Sequence, residues 1–410
     1  MDILFMLSLI TVILLGGCFY LPASNDIAID IGAPLAPNST PMIGFYSAFV
    51  DSQGTIHVYS STNFTNGDQS LYYNALKGGI WQYPVNVPVI QFPGGINTTA
   101  MGSVIYDSSA PFNGYEYVMF FTNQPGDVAG FWALFGGSPP CIVEEPTSVG
   151  AGLVYVSFSH NPGSGWTTPC QFSIDGVHTV LTEQVSAIYY DGTIYITIFE
   201  GDFGIISANL NTITYAYMAT ALPSDPTRGT RINAGYYSLD GVTGFNPGIT
   251  LTSPNTTDDN PFFVNLDTAF DPATGDFFVS RSYAYPFDVT AFTSGEVPCD
   301  VPSPKGMTTY PNRGQLLKMN LGNPPNVQLL FTGTWELVAD YGAGIGYGTS
   351  TNGGTCTPTP LQDGQTDIGG QVNTMSILRT PEGFVDSSRQ VMVAYGPHKA
   401  STPRLIKGSW

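Results

Sequence analysis

Glu183 and Asp267 are the two carboxylates of this chain placed where catalysis would use them. Glu183 stands just ahead of the run Ser186-Ala187-Ile188-Tyr189, and Asp267 directly ahead of Thr268-Ala269-Phe270. Hydrolysis of a glycosidic bond needs two such groups, one protonated and one ionised, on either side of the scissile oxygen. Burial at the start of a strand would raise the pKa of Glu183 and suit it to be the acid, with Asp267 as base or nucleophile. Asn123, Glu200, Asp202, Arg281, Tyr283, Asn373 and His398 fall at comparable points of similar segments. Together they would make a polar, acid-bearing, aromatic-flanked pocket of a composition suited to sugars. The competing role of both acids is structural, because Asp and Glu ahead of strands also hydrogen-bond backbone amides and form turns. Arg281 has the same ambiguity, with Asp267 and Asp288 as alternative ion-pair partners.

The elements that must position these groups recur along the chain. "SAFVDSQGTIHVYS" from Ser47 has a small residue, an apolar run, a turn with Asp or Gly, and an alternating strand. The pattern returns from Ser103, Ser186, Thr268 and Ser376, with starts 56, 83, 82 and 108 residues apart. Each copy reads as a β-hairpin by its period-two alternation and its turn residues. Further strand-like runs follow, Ile205–Leu210 and Thr212–Met218 in the third unit and Gln315–Asn320 and Val327–Trp335 in the fourth. Repeated four-stranded units without helices predict an all-β, five-bladed β-propeller, with the apolar first strand of each unit lining the axis. The last unit offers three strands, 374–379, 390–395 and 404–409, and the alternating "DIAIDIG" of Asp26–Gly32 can complete it. Such closure by the two termini removes the open edges of the array. Long insertions are expected near 136–150, 220–262, 286–313 and 341–370, and 220–262 is long enough to hold a sixth blade.

Ser159-x-Asn161-x-Gly163-x-x-Trp166 follows the third strand of the second unit, and Asn74, Gly78 and Trp81 repeat part of its spacing. This motif resembles the Asp-box, or BNR repeat, of sialidase-like propellers, with Asn in place of Asp. The resemblance implies a hairpin turn between the outer two strands of a blade, capped by the polar side chain. Gly would take a positive φ there and Trp would pack between blades. It does not extend to the arginine triad of sialidases: "PMIGFYSAF" at the first strand has no arginine, and Arg231-Ile232-Asn233 stands elsewhere.

The 410 residues include 47 Gly and 32 Pro, and 12 Lys+Arg against 31 Asp+Glu give a formal net charge of -19. A surface so acidic repels nucleic acid, whose binding depends on neutralising phosphates. The apolar run Ile3–Leu15, followed by Gly16-Gly17-Cys18 and the small residues Ala23 and Ser24, reads as a secretory signal peptide of residues 1–23, leaving a single domain over 24–410. Leu15-Gly16-Gly17-Cys18 also matches a lipobox, and the run extended to Leu21 is just long enough for an uncleaved anchor. A membrane partner follows only if Cys18 is lipidated or the N-terminus retained. Cys141, Cys170, Cys299 and Cys356 suggest two disulfides, with nearest-neighbour pairing our choice among three connectivities. Sequons at Asn38, Asn63, Asn97 and Asn255 fit a glycosylated secreted protein. No metal or cofactor signature occurs: there is no CxxC, and "DPATGD" (271–276) reads as a hairpin turn rather than a calcium loop.

Three function classes fit this sequence. A secreted carbohydrate-recognising propeller acting on extracellular glycans, a glycoside hydrolase if it is an enzyme, ranks first. A non-catalytic lectin-like binder and a structural cell-surface or wall protein are the alternatives.

Overall fold

A computed structural model describes residues 27–30, 47–63, 69–82, 88–90, 98–125, 153–178, 182–200, 215–233, 237–238, 242–243, 262–284, 296–298, 312–342, 348–351, 357–358, 365–367, 372–395, 402–407 and 410. The described residues form an all-β structure of antiparallel meanders arranged as a β-propeller. One sheet comprises Ser47–Val50, Ile56–Asn63, Gln69–Lys77 and Ile80–Trp81. The next runs through Thr98–Tyr106, Tyr117–Pro125, Leu153–Ser159 and Cys170–Gln171. Thr182–Tyr190, Thr193–Glu200, Tyr215–Leu222 and Asp225–Arg231 make another, and Phe262–Asp271, Asp276–Ala284, Asn312–Asn320 and Trp335–Gly342 the one after it. The first strands of these sheets and Val372–Ile377 neighbour one another in chain order, and Val372–Ile377 returns to Ser47–Val50.

The sequence alternation explains this packing. In Thr193–Glu200, Ile194, Ile196 and Ile198 join a core shared with the 98–171 sheet, while Phe199 joins one shared with the 262–342 sheet. Both faces of the strand are therefore buried, each against a different neighbour, which is why every position from Ile194 to Phe199 is apolar, aromatic or Thr. Further cores join the 262–342 sheet to the 372–407 sheet, and that sheet to the 47–81 sheet.

Ile27–Asp30 pairs antiparallel with Thr402–Lys407, from Ile27 opposite Lys407 to Asp30 opposite Arg404, and so supplies the outer strand of the 372–407 sheet. Elsewhere the observed strands depart from the expected ones. In the third unit the described strands after Thr193–Glu200 are Tyr215–Leu222, which overlaps the expected run 212–218, and Asp225–Arg231, while the expected run 205–210 lies outside the described residues. The stretch 225–231, inside the 220–262 region expected as a long insertion, is a strand whose exposed face carries Arg228. Arg231 closes it over the Tyr217 ring at 4.5 Å. In the fourth unit, Val327–Phe331 is a 3-10 turn capped by the Asn326 side chain, and the strand starts at Trp335. The insertions around 286–313 and 341–370 contribute to one small sheet, Glu296–Pro298 with Gly348–Thr351 and Thr357–Pro358. The 136–150 insertion lies outside the described residues.

The 159–166 turn joins the outer two strands of its sheet. Asn161 Oδ1 accepts the Gly163 amide at 2.9 Å, and the Ser159 hydroxyl lies 2.7 Å from the Ser164 carbonyl oxygen. Trp166 meets Tyr59 of the neighbouring sheet edge-on, and both donate to the Pro162 carbonyl. The positive φ expected of Gly163 belongs instead to Gly165, at +72°. Gly163 is needed for close approach, since a Cβ there would stand 2.7 Å from the Tyr73 ring.

Deleting residues 24–32 removes the outer strand of the closing sheet. The expected cost is on the order of 3 kcal/mol from lost ladder bonds, read as a lower thermal midpoint; an unchanged midpoint would show that the terminal strand does not hold the ring.

Candidate functional site

An inner strand is a sheet edge, and its amides facing the axis have no ladder partner. Here side-chain oxygens of the preceding strand supply them. Ser47 Oγ accepts the Val104 amide at 3.2 Å, Ser103 Oγ the Ala187 amide at 3.0 Å, and Ser186 Oγ the Thr268 amide at 3.1 Å. Asp267 Oδ2 continues the series by accepting the Ile377 amide at 3.2 Å. The serine that opens each of the first three repeats is thus an acceptor for the next repeat, and a larger apolar residue could not replace it.

Arg379 gathers these oxygens. It is fully buried, and its Nη2 donates to Ser47 and Ser103 Oγ at 3.2 Å. Nη1 lies 3.0 Å from the Thr268 carbonyl oxygen, 3.2 Å from the Ala187 carbonyl oxygen and Ser186 Oγ, and 3.3 Å from Asp267 Oδ1. Asp267 also receives the Ser186 hydroxyl and the Thr268 amide, both at 2.9 Å. Burial pushes the Asp267 carboxyl above its ordinary value, against the opposing pull of Arg379 and these donors. The desolvation cost of a buried pair of this kind is of the same order as its attraction.

The segment after Arg379 forms a strap across the same axis. The Arg379, Pro381, Glu382 and Gly383 carbonyls accept the amides of Val50, Tyr106, Tyr189 and Phe270 in turn. Gly383 takes φ +97°, and a Cβ there would meet the Ala187 carbonyl oxygen at 3.1 Å. The sequence suggested an ordinary hairpin turn here. The segment instead bonds an inner strand of each neighbouring sheet.

The positions predicted to bear chemistry divide between this hub and the end of the ring where the inner strands begin. Glu183 falls at a register break between Thr182 and Gln184 and Asn373 at one between Val372 and Thr374; Asn265, two residues before Asp267, sits at a third between Val264 and Leu266. Glu200 opposes Thr182, Tyr283 opposes Phe263, and Asn123 opposes Ala100, all toward that same end of their sheets. The side chains of these residues, and the whole of Asp202 and His398, lie outside the described set. Asp267 lies deeper, immediately before the Thr268 that touches Ser186, so Glu183 precedes that level by two residues, roughly 7 Å of strand. Its oxygens are occupied by Arg379, Ser186 and backbone amides, an arrangement that serves the hub. Arg281 is also buried, and its Nε donates to Gln315 at 3.0 Å; the acid that pairs with Arg379 is the Asp267 considered above for Arg281. Sequence reasoning missed Arg379, although it is one of two arginines near inner strands, and missed the acceptor role of Ser47, Ser103 and Ser186. Among the described residues, no group of three His, Cys, Asp or Glu is placed to hold a metal ion.

Arg379→Met should cost ~3–5 kcal/mol, because it leaves a buried carboxylate uncompensated. Adding Asp267→Asn should recover part of that loss. Urea unfolding of the single and double variants checks both, and wild-type stability in Arg379→Met would remove the hub from this account.

No protein-family model matches the chain, and no curated protein matches it. Among solved structures, it is similar to an N-acetylgalactosamine deacetylase from F. plautii in complex with blood group B trisaccharide. That likeness has 11% identity, a TM-score of 0.50, and covers 93% of this chain and 94% of that one. The catalytic domain of a Coprinopsis cinerea GH62 alpha-L-arabinofuranosidase aligns at 10% identity and a TM-score of 0.47, covering 95% and 98%. An alpha-L-arabinofuranosidase from Podospora anserina in complex with cellotriose aligns at 12% and 0.45, covering 94% and 97%. At these identities the likeness concerns the fold.

Proposed function

We propose that this chain is a secreted, carbohydrate-recognising, five-bladed β-propeller that binds an extracellular glycan at the end of the ring where the inner strands begin. The observation that carries this reading is the set of register breaks at Glu183, Asn265 and Asn373. Bulges re-aim side chains and gather beside active sites, and each of these carries a carboxylate or an amide. The hub and strap occupy the axis beneath, so a ligand at this end would meet a closed floor. The deacetylase above shares the fold and was solved with a trisaccharide, but fold alone does not fix function.

As an enzyme the protein would be a glycoside hydrolase with Glu183 as the acid. Glu200, opposite Thr182 in the register, is then a better second carboxylate than Asp267. The commitment of Asp267 to Arg379 and the hub favours, as a second reading, a lectin-like binder without hydrolysis. For secretion we retain cleavage near Ala23. Two disulfides with nearest-neighbour pairing, Cys141 with Cys170 and Cys299 with Cys356, are kept as part of this reading.

A glycan array paired with assays of sugar release tests the function. Wild type should bind a defined glycan set, and Glu183→Gln should lose hydrolysis while keeping binding if the protein is an enzyme. Binding without any release by wild type selects the lectin reading, and no glycan interaction at all rejects both.

A further inference from the structure

At the opposite end of the ring, the strap, the first hairpin turn and the adjoining strand ends line a half-open cavity of about 490 Å³. That is within the size range of small-molecule sites. Tyr106 and Tyr117 form one wall with ring centroids 4.5 Å apart, and His57, stacked on Phe49 at 4.6 Å, forms another. Asp51, Glu382 and Asp386 add three carboxylates, and no Lys or Arg is among the lining residues. The carboxylates are held by neutral groups. Asp51 accepts the Gln53 and Thr55 amides at 2.8 Å, Glu382 the Thr380 hydroxyl at 2.7 Å, and Asp386 the Ser388 amide at 2.8 Å.

We propose that this cavity is a binding site for an organic ammonium ion, its carbon groups against Tyr106 and Tyr117 and its charge facing Glu382, Asp386 and Asp51. Aromatic walls attract such ions through the negative faces of their rings, most strongly where water is excluded. His57 does not neutralise the site. Burial holds its pKa below the ordinary imidazole value although Asp51 lies 3.2 Å away, so it is uncharged near neutral pH. Burial, then Tyr106 and Asp51, pushes the Tyr117 hydroxyl up to about 12, so that ring stays neutral too. An anionic ligand would meet three carboxylates and no cation. A neutral ligand would leave their charge unanswered. The site stands apart from the proposed glycan surface and does not depend on it.

Calorimetry with choline, and with its uncharged isostere 3,3-dimethylbutan-1-ol, tests the proposal. Choline should bind wild type with a Kd on the order of 1 mM or below, and the alcohol at least about tenfold more weakly. Glu382→Gln, which keeps the strap backbone and the side-chain shape, should weaken choline by about tenfold. Tyr106→Leu should weaken it as well. Glu336→Gln removes an exposed outer-strand carboxylate and should bind choline as wild type does. No choline binding to wild type, equal affinity for the alcohol, or equal losses in Glu336→Gln and Glu382→Gln would each overturn the assignment.

Discussion

A sheet that radiates from an axis exposes an unpaired backbone edge toward that axis, and everything in this fold depends on satisfying it. Ladder bonds cannot do so, because neighbouring inner strands belong to different sheets. The chain supplies side-chain oxygens instead, from Ser47, Ser103, Ser186 and Asp267, each to the amide of the next strand. Those oxygens converge in a buried interior, where they in turn need donors, and Arg379 provides a planar fork able to reach several at once. A lysine carries the same charge but not that geometry.

The same solution shapes what the protein can do. The strap that brings Arg379 to the axis continues across the hairpin ends of the inner strands, bonding Val50, Tyr106, Tyr189 and Phe270. The axis is therefore filled, and ligands are left the two ends of the ring. At one end, the inner strands begin with register breaks at Glu183, Asn265 and Asn373. At the other, the strap itself helps to line an acid-bearing, tyrosine-walled cavity. Asp267 illustrates how a carboxylate in a suggestive sequence position can be taken up by structure. With its oxygens bonded to four neighbours in the interior, it has a role in the fold that needs no substrate.

Much of the architecture was legible in the sequence, because period-two alternation and Gly/Asp turns survive in the inner hairpins. Ile194 to Phe199 shows this plainly, and the alternation of Asp26–Gly32 was enough to identify the closing strand. The outer strands were less legible. Asp225–Arg231 carries charge on its exposed face and a Gly within it, so its composition mimics a loop. Val327–Phe331 is apolar enough to pass for a strand, yet the Asn326 cap turns it into a 3-10 segment. The hub was least legible of all. A serine that opens a repeat reads as a small residue, and only the superposed ring shows that its hydroxyl faces the next strand's amide. Nothing local to "RTPEGF" distinguishes a strap spanning the axis from a hairpin turn, because its partners are up to 332 residues away.

Native-state hydrogen exchange at the amides of Val50, Tyr106, Tyr189 and Phe270 tests the central claim most directly. Each belongs to a different sheet, and each donates to a carbonyl of the strap. If the axis is held by one cooperative hub, all four exchange only through global unfolding, with the same protection, and lose it together in Arg379→Met. Fast or unequal exchange at these amides, while ladder amides of the same strands stay protected, would contradict the account.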